Sequence, residues 1–145
     1  MKKKQKVVAV SGGFDPVHIG HIRLLKSARE LGDKLAVILN NDGFLMRKKG
    51  YVFMPLNERK EILESIKYVD EVVVAVDEDQ SVCKTLEMLK PDVFANGGNR
   101  ETEGDILERE ACQHLGIKMV FGVGGHDKPQ SSTWLVRNAI ARDNK

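Results

Sequence analysis

Val7-Val8-Ala9-Val10 is an unbroken apolar run closed by Ser11-Gly12-Gly13, the pattern of a strand covered on both faces. From His18 to Leu31 the apolar positions Ile22, Leu24, Leu25, Ala28 and Leu31 recur at helical spacing, and Gly32 supplies a stop. The alternation continues with a strand at Leu35 to Leu39, a helix over Pro55 to Ile66 that buries Leu56, Ile62, Leu63 and Ile66, and a strand at Val72 to Val76. A helix over Val82 to Leu89, a strand at Val93 to Ala95, a helix over Ile106 to Leu115, a strand at Ile117 to Phe121 and a helix over Ser131 to Arg142 complete the series. The longest connection, Asn40 to Met54, is expected as a loop of the kind that covers or builds a site.

Strands alternating with helices through short connections predict an α/β fold. One Rossmann-like domain spans residues 1–145, with a five-stranded parallel sheet, right-handed crossovers and helices on both faces. Ligands of such sheets bind beyond the carboxyl ends of the strands, where the strand order reverses. The residues that follow strands one, two, four and five are therefore the ones expected to carry function.

Composition adds mainly exclusions. With 41% hydrophobic and 30% charged residues in a chain of 145, this is an ordinary globular domain large enough for one core. The 23 basic and 21 acidic residues leave a net charge of +2, too even to predict a nucleic-acid or membrane surface, so an anion site has to come from local clustering. Lys2-Lys3-Lys4-Gln5-Lys6 reads as a solvated lead-in to the first strand, not a signal peptide, because the apolar stretch behind it ends at Val10. No stretch approaches the roughly 20 apolar residues that span a bilayer. Cys83 and Cys112 stand far apart without CxxC spacing and are expected as inert thiols in a reducing cytoplasm.

The candidate chemistry begins after strand one, in Ser11-Gly12-Gly13-Phe14-Asp15-Pro16-Val17-His18-Ile19-Gly20-His21. Histidines three apart in the first turn of a helix share a face, and the free amides of that helix start favour an anion. Gly20 between them leaves room for a ligand to approach the backbone. The two imidazoles and the amides thus converge where a phosphate could sit.

His18-Ile19-Gly20-His21, preceded by Gly13-Phe14-Asp15, resembles the HxGH signature of the cytidylyltransferase-like nucleotidyltransferase superfamily and the glycine-Phe-Asp turn before it. Arg59 in Leu56-Asn57-Glu58-Arg59 looks like the family's helix-borne arginine, Val69-Asp70-Glu71-Val72 like its VDEV element, and Ser131-Ser132-Thr133 like its C-terminal motif. Within the family the chain is similar both to glycerol-3-phosphate cytidylyltransferases and to heptose-1-phosphate adenylyltransferases.

The resemblance implies an enzyme that transfers CMP from CTP to a small phosphorylated acceptor such as glycerol 3-phosphate and releases pyrophosphate. The alternative is AMP transfer from ATP to a sugar phosphate such as heptose 1-phosphate. A non-catalytic nucleotide-binding module is the alternative outside enzymes. His18, His21 and Lys49 would be catalytic. Gly12, Gly13, Phe14, Gly20, Asn96, Gly97, Gly98, Ser131, Ser132 and Thr133 would hold the nucleotide. Lys48 and Arg59 would bind phosphate, Arg59 as a bidentate contact. The arginine that precedes the serine motif in glycerol-3-phosphate cytidylyltransferases is absent, and His126 or Lys128 stands in its place. Mg²⁺ is expected as the triphosphate's companion, bound mainly by phosphate and water with no protein cage, and Asp15 is its candidate outer partner. A cytoplasmic homodimer, with no nucleic-acid or membrane partner, completes the expectation.

Overall fold

The computed structural model describes residues 4–97, 103–125 and 131–143. Five strands form one all-parallel sheet: β1 (Val7–Gly12), β2 (Lys34–Leu39), β3 (Glu71–Val74), β4 (Val93–Ala95) and β5 (Lys118–Val120). Their order is β3-β2-β1-β4-β5, so the chain winds outward from β1 to β3 and then crosses back to β4. The reversal falls between β1 and β4, which is where ligands enter open parallel sheets. The described helices are α1 (Ile19–Arg29), α2 (Asp42–Lys49), α3 (Leu56–Glu64), α4 (Cys83–Leu89), α5 (Glu103–Leu115) and α6 (Ser132–Asp143).

Alternation along the strands splits the core in two. Val8, Val10, Leu35, Val37 and Leu39 point to one face, where they meet Leu25 and Ala28 of α1 and Leu63 of α3. Ala9, Ile38 and Phe94 point to the other, against Leu86 of α4 and Cys112 of α5. Cover on both faces is why β2 reads as a continuous apolar run: Leu35 to Leu39 are all 0% exposed. Carboxylates close the strand starts. Asp92 accepts from the Val7 amide at 2.8 Å and Asp70 from the Leu35 amide at 2.8 Å, and Asp70 also pairs with Arg29 at 3.0 Å.

The expected loop after the second strand is corrected by the structure, which folds its middle into α2. Asn41 caps that helix by accepting from the Phe44 amide at 2.8 Å, Asp42 lies in the first turn, and Gly50 ends it in the left-handed region at φ 80°. Phe44 and Leu45, adjacent in sequence, supply the buried face. Two neighbouring apolar residues make no helical stripe, so the local pattern did not announce this helix. Other elements shift by a few residues at their ends; α5, for instance, begins at Glu103 instead of Ile106.

The α4–α5 face also buries titratable groups. Burial pushes the Cys112 thiol up to about 11 and raises that of Cys83, so both stay protonated and unreactive at neutral pH. Glu108 of α5 sits where burial, and secondarily the charge of Asp105, pushes its carboxyl up to about 8, against the opposing hydrogen bond from the Val82 amide. The native state therefore keeps a proton that the unfolded chain gives up near pH 4.5. Stability is lost as pH rises from that value through about 8, by about 1.4 kcal/mol per unit, and levels off above. Glu108→Gln keeps the acceptor for Val82 but carries no charge. Its unfolding midpoint should match the wild type near pH 4.5 and exceed it increasingly toward pH 8.5; a gap that does not change with pH would refute the buried-acid reading.

Candidate functional site

The turn after β1 delivers the two histidines to the start of α1. Phe14 takes φ 50°, a left-handed conformation uncommon for a bulky residue, and the chain then runs through Asp15 and Pro16 to His18. His18 is the N-cap of α1. Its Nδ1 accepts from the Gly20 amide at 3.1 Å, while the His18 amide donates to Nδ1 of His21 at 3.1 Å. This is a capping box built from two imidazoles. The rings stack with centroids 3.8 Å apart, and Phe14 packs on His21 at 4.7 Å.

The cap fixes the tautomer. A neutral imidazole whose Nδ1 accepts a hydrogen bond carries its proton on Nε2. Both histidines are therefore held with Nε2–H as donor, side by side at the start of the helix. That is an arrangement for an anion with several oxygens.

Lys49, at the end of α2, reaches this turn: its Nζ donates to the Asp15 carbonyl at 3.0 Å, lies 3.2 Å from the Asp15 carboxylate and sits 4.6 Å from the Tyr51 ring centre. The Asp15 carboxylate also accepts from the Phe53 and Met54 amides at 2.7 and 2.6 Å. Asp15 is thus a staple between the histidine turn and the segment before α3, a role that long-range contacts alone reveal. Lys48 is exposed on α2, with Nζ 6.0 Å from the Phe44 ring centre. Arg47 turns away, to the Gln80 side chain at 2.9 Å and the Asp79 carbonyl at 3.2 Å.

Two expected contacts are corrected. Arg59 does not present its guanidinium to a phosphate: it is 0% exposed and donates to the carbonyls of Met54, Gly13 and Asn40 at 2.8 to 2.9 Å and to Asp42 Oδ1 at 2.6 Å. The planar fork suits it to tie four segments at once. Phe14, expected to touch nucleotide, is 2% exposed and belongs to the α1-side core, where it supports His21.

The remaining residues gather around the same sheet edge. Gly12 ends β1, and an added Cβ at Gly13 would stand 2.7 Å from the Leu45 side chain, so α2 closes directly over the turn. The Asn96 amide donates to the Val120 carbonyl at 2.7 Å, and its side chain donates to the Phe94 carbonyl at 3.4 Å. Gly97 and Gly124 both lie against Leu24 of α1, within 3.6 and 3.1 Å of where their Cβ atoms would be. Ser131 caps α6, accepting from the Trp134 amide at 3.3 Å, and Thr133 is exposed in its first turn. Ser132 Oγ donates to the Pro16 carbonyl at 2.8 Å, which brings the start of α6 to the histidine turn. Gly98, His126 and Lys128 lie outside the described residues.

Asn40 was not singled out from the sequence. It follows the buried run of β2, is 5% exposed, and its Oδ1 has no hydrogen-bond partner among the described residues. A polar residue closing a fully apolar strand at the functional edge was the available signal. Among the described residues no three His, Cys, Asp or Glu side chains come together as a metal cage, and no helix is long and apolar enough to cross a membrane.

The model of the family described as Cytidylyltransferase-like matches residues 9–102. The chain is 39% identical over 113 residues to the FAD synthase of Pyrococcus abyssi, covering 77% of this chain and 75% of that one. It is 35% identical over 118 residues to the glycerol-3-phosphate cytidylyltransferase of Bacillus subtilis, covering 81% and 90%. The bifunctional protein HldE of Citrifermentans bemidjiense is 41% identical over 126 residues, 83% of this chain but 25% of that protein. Among solved structures, the lipopolysaccharide core biosynthesis protein of Thermoplasma volcanium superposes with a TM-score of 0.70 at 29% identity, covering 86% of this chain and all of that one.

Proposed function

Because this chain belongs to the Cytidylyltransferase-like family of nucleotidyltransferases, we propose that it transfers a nucleoside monophosphate from a nucleoside triphosphate to a small phosphorylated acceptor. The observation that carries the proposal is the imidazole capping box, which holds two Nε2–H donors at a helix start. An acceptor phosphate oxygen attacks the α-phosphorus, a new P–O bond forms, and the bond to the bridging oxygen breaks as pyrophosphate leaves with the electron pair. The nucleophile is already an anion, so no base is needed. Catalysis comes from alignment and from neutralising charge on the equatorial oxygens.

In this reading His18 and His21 donate to oxygens of the α- and β-phosphates. The turn at Gly12 and Gly13, and Ser131, Ser132 and Thr133 at the start of α6, hold the rest of the triphosphate, while Gly20, whose amide is taken by His18 Nδ1, leaves room for it beside the backbone. Ser132, already joined to Pro16, keeps the two helix starts together. Asn96, Gly97 and Gly98 hold ribose and base, and His126 or Lys128 supplies the cation missing before the serine motif. Lys49 and Lys48 bring positive charge to the acceptor phosphate from the end of α2. Mg²⁺ would be held mainly by the triphosphate and water, and Asp15, taken up by Lys49 and two amides, would stand at most in its outer shell. The working unit is a cytoplasmic homodimer.

The donor proposed first is CTP, with glycerol 3-phosphate as acceptor type, in line with the Bacillus subtilis relative. A second reading, adenylyl transfer from ATP, is favoured by the somewhat higher identity to FAD synthase, whose product contains an adenylyl group. Pyrophosphate release should be screened with CTP, ATP, GTP and UTP against sugar, glycerol and amino-alcohol phosphates. Trp134, the chain's single tryptophan, lies 54% exposed in the first turn of α6 and gives a separate binding signal. Its emission should change with the triphosphate that is used. The absence of both pyrophosphate release and a fluorescence change with all four triphosphates would overturn the proposal.

The lysines give a further expectation. Lys48→Ala together with Lys49→Ala should raise KM for the acceptor more than KM for the nucleotide, because both stand at the α2 side of the turn. Steady-state kinetics with each substrate varied in turn decides the matter. A larger rise for the nucleotide would assign them to the triphosphate instead.

A further inference from the structure

We infer that Asn40 recognises a hydroxyl group of the acceptor, which makes the acceptor a polyol phosphate and not an amino-alcohol phosphate. The inference deepens the transferase reading above and rests on it.

The backbone of Asn40 is fixed on both sides: its amide donates to the Gly12 carbonyl at 2.9 Å, and its carbonyl accepts from Arg59 at 2.8 Å. The side chain is as enclosed as a core residue, at 5% exposed, yet Oδ1 is the single buried side-chain oxygen or nitrogen without a partner among the described residues. Buried polar atoms are paired as a rule, and an orphan calls for a donor that arrives from elsewhere. Its position says from where. Leu39 belongs to the α1-side core and Ile38 to the α4–α5 side, so strand alternation carries Asn40 to the face of Ile38. Ser11 and Asn96 follow Ala9 and Phe94 onto that same face, in strands adjacent to one another. Asn40, Ser11 and Asn96 therefore form a short polar line along the carboxyl edge of β2, β1 and β4, beside the histidine turn.

The missing donor can be a hydroxyl or an ammonium. Arg59, 0% exposed and bonded to the Asn40 carbonyl, already places a cation one peptide away, and its ion-pair partner is Asp42. A second buried cation beside it would be repelled and would pay desolvation as well. A neutral hydroxyl meets Oδ1 without either cost.

The test compares kcat/KM for glycerol 3-phosphate and ribitol 5-phosphate with that for propyl phosphate and phosphoethanolamine, in the wild type and in Asn40→Ala, Asn40→Ser and Asn40→Asp. The wild type should prefer the polyol phosphates by about tenfold or more, the size of one well-placed hydrogen bond. Asn40→Ala should erase that preference by lowering the polyol values only, with KM for the nucleotide unchanged. Asn40→Asp should shift preference toward phosphoethanolamine. A wild type that favours propyl phosphate or phosphoethanolamine overturns the inference whatever the variants do. So does a loss in Asn40→Ala or Asn40→Ser that is equal for all acceptors. In both cases pyrophosphate is still released and the transferase reading stands. If neither these phosphates nor the sugar phosphates of the wider screen cause the wild type to release pyrophosphate from any of the four triphosphates, the transferase reading fails and this inference falls with it.

Discussion

Replacing His18 with asparagine or His21 with glutamine is expected to lower turnover by about a hundredfold or more, with the fold preserved. The choice of replacements separates two roles that the structure places on opposite nitrogens of the same rings. As capping groups, the histidines use Nδ1: His18 accepts from the Gly20 amide, and His21 accepts from the His18 amide. Asparagine is a good N-cap and glutamine at the third helical position completes a capping box, so each variant keeps its local hydrogen bond. Each carries only a neutral amide NH2 in place of the imidazole Nε2–H, which can take up positive charge as charge builds on the phosphates. A pure capping role therefore predicts nearly unchanged activity, whereas charge stabilisation on the triphosphate predicts the large loss. Turnover and thermal midpoint should be measured on the same preparations. Near wild-type turnover in either variant would leave that histidine as a cap and remove it from the chemistry.

Removing the side chain of Arg59 is expected to cost stability on the scale of a large buried side chain cut back to alanine, roughly 2 to 5 kcal/mol. That is a large part of the ~5–15 kcal/mol that holds a small domain together. Arg59→Ala leaves the carbonyls of Gly13, Asn40 and Met54 without their donor and opens a cavity where the side chain was. Arg59→Lys should rescue little, because one ammonium cannot reach acceptors spread along a planar fork. Asp42→Asn should be costly as well, although its own side chain is 47% exposed, because it leaves the fully buried guanidinium without a counter-charge. Denaturant midpoints for the three variants provide the measurement. Should Arg59→Ala keep the wild-type midpoint and instead raise KM for a phosphate-bearing substrate, the residue would be a ligand contact after all.

These expectations also divide what was legible in the chain from what was not. The strand and helix alternation, the all-parallel sheet and the pairing of His18 with His21 follow from neighbours within a few positions. Apolar runs of three to five residues mark most of the strands, and a spacing of three puts both imidazoles on one helix face. Ser131 at the start of α6 was equally local, because a serine before an apolar-periodic stretch is a cap wherever the helix ends up. Such features depend on backbone geometry that each segment carries with it.

Folding decided the roles of Arg59, Asp15, Phe14 and Asn40, because their partners are far away in the chain. Arg59 bonds to residues 5, 17, 19 and 46 positions distant, and Asp15 to residues 38 and 39 positions distant. From sequence an arginine on a helix beside a phosphate site is a phosphate contact; once the turn after β1, the end of β2 and the start of α2 converge on it, its donors are satisfied and buried. The same convergence draws Lys49 to the histidine turn and makes a helix of residues 42–49, whose buried face exists only because β1 and its turn lie beneath it. The unpartnered oxygen of Asn40 is the extreme case, since an atom without a partner can be recognised only after every neighbour has been placed. Periodicity is a property of the segment, whereas satisfaction of a polar group is a property of the whole packed chain.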